Sequence, residues 1–129
     1  MNLSSMFRVI GIALFIQLAL GGLVTFNFIS PFIHLVWGIV LGVLAVVAIV
    51  FVVRTPSKPR QLVGLSIGIG VDILLQGLLG FAILATNSDV ISWVHFLNAL
   101  AIFGMTLFGT FLAMRASSVA SGATPSANS

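Results

Sequence analysis

His34, in "SPFIHLVWGIV", and His95, in "SDVISWVHFLN", are the only two histidines of a chain that has no cysteine and no glutamate. Neutral imidazole is a common metal ligand, and it is costly to bury in hydrocarbon without a partner. Both histidines stand 20 residues before a basic residue, His34 before Arg54 and His95 before Arg115. On parallel helices rising about 1.5 Å per residue, that spacing puts the two imidazoles at one depth. Two imidazoles at one depth predict a flat ligand held from both sides, with one bis-His haem as the expected cofactor. Other chemistry has little material here. The missing cysteines exclude disulfides, thiolate ligands and thiol nucleophiles, and two aspartates alone leave little for paired-carboxylate catalysis.

The elements that would position the histidines follow from composition. Of 129 residues, 60% are hydrophobic and 5% charged, against about 25% charged in soluble domains. Mean hydropathy is +1.28. The expected class is an all-α integral membrane protein. Four apolar segments, at roughly 7–27, 32–53, 62–84 and 91–114, each reach the ~20 residues that cross a bilayer. The first is too long, and lacks a small-residue cleavage site, for a signal peptide. Arg8, Arg54, Lys58, Arg60 and Arg115 all fall before span one, between spans two and three, or after span four. The other connections, "NFISPF" and "TNSDVIS", carry no basic residue. This asymmetry predicts a multi-pass protein of the cell membrane with both termini cytoplasmic. Trp93 falls at an expected membrane interface. Short connections predict an up-down-up-down bundle over residues 1–115. The Ser- and Ala-rich stretch 116–129 reads as a disordered cytoplasmic tail. A formal charge of +3 on scattered residues gives no reason to expect nucleic acid. The lipid bilayer is the expected surrounding partner, and anionic lipid a secondary contact of the basic residues.

In a bundle wound in sequence order, spans two and four are diagonal, so His34 and His95 would face each other across its axis. A ring between them would lie near small residues: Gly21 and Gly22 on span one, Gly77 and Gly80 on span three. Gly38 and Gly42 follow His34 on its own face, and Asn98, Ala99 and Thr106 keep the His95 side small or polar. Glycine lets a backbone approach a ring closely, although it serves helix packing more often. A weak internal repeat relates "IGIALFIQLALGG" to "IGIGVDILLQGLLGF" and the two histidines to each other. It predicts two helix hairpins around an axis along the membrane normal.

Asp72 is the one acid expected within a span, about 18 Å from Arg60 along the axis, with Gln76 one turn later. Two roles stand open for it. One is a proton relay or a contact to a haem propionate's hydrogen-bond network. The other is an interhelical hydrogen bond, with Gln17 as the candidate partner. Gln17 itself reads as interhelical glue, and Asp89 as the cap of span four.

The stretch "IQLALGGLVT", followed by an outer turn and an early histidine, resembles the haem A synthase family, and so does "WVHFLNALAIFG" in span four. Members of that family hold axial histidine pairs on the second and fourth helices of four-helix bundles, and this chain resembles one such bundle. The resemblance implies that His34 and His95 are the ligands and that Gly21, Gly22 and Thr25 end the first-helix motif. It implies a link to haem A formation for a terminal oxidase, through a homodimer or an oxidase or assembly partner. Three positions depart from the family. Pro31 stands where its E-x-x-H glutamate would be, Leu35 follows the first histidine in place of arginine, and the outer loop lacks the cysteine pair. Oxidoreductase activity on haem O is therefore left open. The other readings are a b-type cytochrome subunit for electron transfer and a non-haem accessory or transport protein.

Overall fold

A computed structural model of the chain describes residues 2–56 and 58–122. It contains four α-helices: α1 (Leu3–Thr25), α2 (Pro31–Arg54), α3 (Arg60–Thr86) and α4 (Asp89–Gly122). All four are long and apolar enough to cross a membrane.

Their ends follow local hydrogen-bond chemistry. α1 begins four residues ahead of the predicted span because Asn2 Oδ1 accepts the Ser5 amide at 2.8 Å, satisfying one of the open N–H groups of the first turn. Ser30 caps α2 by accepting from the Phe32 amide, and Pro31 fills the first helical position, where no amide is missed. The connections after α1 and α3 each turn on an asparagine in the left-handed region, Asn27 at φ 59° and Asn87 at φ 51°, a conformation asparagine tolerates better than most residues.

Two predicted features are corrected. Ser88, not Asp89, caps α4: Ser88 Oγ accepts from the Ile91 amide at 3.4 Å. Asp89 instead lies in the first turn, where its charge favours the positive end of the helix dipole. Residues 116–122, expected to be disordered, continue α4. Alanines there favour helix, and Ser117 and Ser118 return their hydroxyls to the Ala113 and Arg115 carbonyls. The rest of that predicted tail, 123–129, lies outside the described residues.

α1 packs against α2 and α4, and α3 packs against the same two helices. α1 and α3 therefore sit on one diagonal, α2 and α4 on the other. Polar contacts join α1 to α2 and α3 to α4. Trp37 meets Ala13 while the earlier His34 meets the later Gln17, and Asn98 meets Asp72 while His95 meets Gln76.

Burial divides the bundle into two unlike halves. Among the described residues most of the buried ones lie towards the basic residues: Ser4–Leu14 on α1, Leu41–Val52 on α2, Leu62–Gly70 on α3 and Ile102–Ala113 on α4. Phe7, Leu62, Val52 and Ile102 are sealed in this core. Gly109 is required beside Phe7, since a Cβ there would stand 2.6 Å from the phenyl ring. The half that carries both histidines has few buried residues, with Ala99 one turn after His95, and polar side chains and glycines contribute to its helix contacts.

Candidate functional site

The site lies in the half that carries both histidines. His34 sits one turn into α2 and His95 near the start of α4, on the diagonal helices. Their ring centres are 6.1 Å apart and the ring planes cross at 63°. Both side chains are half-buried. Nδ1 of each ring is buried without a hydrogen-bond partner among the described residues. Orphaned buried polar atoms are uncommon in folded proteins and call for an explanation. Among the described residues the one other such side-chain atom is Gln17 Oε1, in the same place.

The neighbouring helices hold the histidines by their backbones. Gln17 Nε2 donates to the His34 carbonyl at 3.2 Å, and Gln76 Nε2 donates to the His95 carbonyl at 2.8 Å. One turn beyond each glutamine stands a glycine that faces the imidazole. A Cβ on Gly21 would lie 3.2 Å from His34 Cε1, and one on Gly80 would lie 3.5 Å from His95 Cε1. One turn before each glutamine, a backbone carbonyl accepts from the residue three places after the histidine. Trp37 Nε1 donates to Ala13 O at 2.9 Å, and Asn98 Nδ2 approaches Asp72 O at 3.4 Å. The same three-level contact thus occurs in both hairpins.

The predicted site residues separate into two groups. His34, His95, Gly21, Gly80, Gln17, Gln76 and Asn98 converge. Gly38 joins them at one remove, its Cβ position 3.3 Å from Gln17 Nε2. Gly22 and Gly77 do not reach the histidines: a Cβ on either would meet nothing within 4 Å, and Gly77 is exposed. Gly77 follows Gln76 directly, so it is turned about a quarter of the helix away from the face that meets α4. The expected Gln17–Asp72 bond is not formed. The two residues lie on diagonal helices, and Gln17 is engaged by His34 instead. Asp72 contributes its backbone carbonyl to Asn98, and its carboxylate makes no hydrogen bond or ion pair among the described residues. Sequence reasoning missed Trp37 as a member of this layer. Its position three residues after His34, matching Asn98 after His95, was the available signal.

Chemically, two facing imidazoles supply two donor atoms. Among the described residues no group of three or more His, Cys, Asp or Glu could hold a metal ion, so a metal here would need further donors from elsewhere. A metal–imidazole bond is about 2 Å. Two such bonds in line, with the half-width of each ring added, give a separation of the same order as the one observed. No family model matches this chain, and no curated protein or solved structure is significantly similar to it.

Proposed function

We propose that this protein is a membrane-embedded haem protein, with one b-type haem held between His34 and His95. The observation that carries the reading is the facing pair of imidazoles, 6.1 Å apart, with both Nδ1 atoms buried and unpartnered. A porphyrin brings four nitrogens of its own, which is what a site with two protein donors lacks. Gly21 and Gly80 keep the flanks of both imidazoles free of side chains, which supports a ring-shaped ligand between them.

The distribution of Arg and Lys supports an up-down-up-down bundle in the cell membrane with both termini cytoplasmic. The histidine pair then lies towards the outer face. When bound, such a haem supplies reversible one-electron chemistry. The chain's own residues would fix its setting: His34 and His95 would hold the iron, and Gln17 and Gln76 hold the backbone of each histidine. With both histidines holding one haem, oxidation of a second haem's methyl group would need donors beyond this pair, and the chain has no further histidine and no cysteine. Pro31, in the place of the family's glutamate, removes a candidate acid–base group as well. The function supported best is therefore electron transfer by a haem A synthase-type bundle, linked by resemblance to haem A formation for a terminal oxidase. A second copy or an oxidase assembly partner would receive the electron. Haem extracted from the purified protein tests the cofactor: one haem B per chain is expected, and recovery of none removes the reading.

A further inference from the structure

The two histidines are held alike through their backbones and unlike through their rings. Gln17 Nε2 lies 3.1 Å from His34 Nε2 as well as 3.2 Å from the His34 carbonyl. A carboxamide nitrogen only donates, so His34 Nε2 is the acceptor and the ring proton sits on Nδ1. A neutral imidazole has one such acceptor nitrogen, and at His34 it is occupied.

No hydrogen bond reaches either ring nitrogen of His95 among the described residues. The equivalent glutamine, Gln76, gives its amide to the His95 carbonyl, while its Oε1 accepts from Asn98 Nδ2 at 2.9 Å. The difference originates one turn along. Asn98 is short and binds Gln76. Its counterpart Trp37 spends its single N–H on Ala13 O and leaves Gln17 Oε1 buried without a donor.

A metal needs a free lone pair on the ring. At His34 Nε2 the Gln17 amide must leave. At His34 Nδ1 the proton must move to Nε2, where it would point at the Gln17 amide hydrogens. Gln17 must then turn over and offer Oε1, its unpartnered oxygen. On both routes the bond seen between Gln17 and His34 and ligation by His34 exclude each other.

We infer that Gln17 makes the two histidines unequal: His95 is the primary ligand, and His34 joins second, after Gln17 releases it. Gln17 is a positioning residue that acts through His34. The inference rests on the haem reading above. It gives the site an order of assembly and makes His34 the exchangeable ligand.

The test adds haemin to haem-free protein in detergent and follows the visible spectrum after rapid mixing. The wild type is expected to show an early high-spin phase, then a slower conversion to low-spin. Gln17→Met, close in shape but without the donor, should speed the slower phase about tenfold, the factor that one hydrogen bond of about 1.4 kcal/mol represents. Leu74→Met, at an exposed position of α3 away from both histidines, should leave that phase at the wild-type rate. In haem-free wild type, ¹⁵N resonances of labelled histidine should show His34 fixed with its proton on Nδ1 and His95 averaged between tautomers, whatever the fate of the variants. Equal slow-phase rates in wild type and Gln17→Met, or a His34 ring averaged like that of His95, overturn the inference and leave the haem reading standing. No haem uptake by wild type, with His34 still fixed, overturns the haem reading and the order of ligation with it.

Discussion

The imidazoles of His34 and His95 lie on diagonal helices that do not pack against each other, yet their ring centres are 6.1 Å apart. Contact across a bundle axis is ordinarily made by large apolar side chains in a filled core. Here the filled core belongs to the other half of the molecule, around Phe7, Leu62 and Ile102, and the axis between α2 and α4 is bridged by two polar rings. The cost of holding such rings in an apolar setting is offset when their nitrogens are engaged, which is the ground for the proposed ligation.

The glycines beside the imidazoles give a graded test. Gly21→Leu and Gly80→Leu should each lower haem retention about tenfold or more, because the new side chain would displace the His34 or His95 ring. Gly77→Leu should retain haem as wild type does, since nothing lies within 4 Å of its Cβ position. Haem-to-protein ratio after purification measures all three. Equal loss from all three would show that the region senses bulk in general and not the imidazole faces.

Stability should depend on the opposite half. Gly109→Ala places a methyl group 2.6 Å from Phe7 and 3.0 Å from Leu65. Overpacking of this kind costs about 1–3 kcal/mol, so the variant should unfold at lower temperature in detergent. Any loss of haem should follow the loss of fold and have no spectral signature of its own. A Gly109→Ala protein as stable as wild type would show that Phe7 has another rotamer available.

The proposed orientation is open to chemical labelling, because the natural chain has no cysteine. Ser88→Cys, in the turn before α4, should react with a membrane-impermeant maleimide in intact cells. Thr55→Cys, after α2, should react only once the membrane is opened. The reverse pattern would place the histidine pair on the cytoplasmic side and invert the charge-based assignment.

Much of the site was legible because it depends on spacing and residue type. The equal separation of each histidine from its basic residue, and the order of four spans, predict the proximity of His34 and His95 without any packing detail. Gly21 and Gly80 were legible as small residues near that level. Gly77 was grouped with them because composition does not say which face of α3 a glycine occupies. Gln17 was paired with Asp72 on polarity, whereas ring order decides partners: α1 touches α2, so Gln17 finds His34. Helix ends were the least legible. The choice between Ser88 and Asp89 as cap depends on one hydroxyl reaching the Ile91 amide. The extension of α4 to Gly122 depends on hydroxyls returning to carbonyls that a Ser-rich composition alone reads as loop.

The measurement that tests the central claim most directly is the reduced-minus-oxidised visible spectrum of the protein purified in detergent, alongside His34→Ala and His95→Ala. Sharp low-spin haem bands in the wild type are predicted. They should turn high-spin in His34→Ala, which keeps the primary ligand, and be largely lost in His95→Ala. A wild type that stays colourless after expression with ample haem, or low-spin bands that survive in both variants, would contradict the assignment of His34 and His95 as partners through one iron.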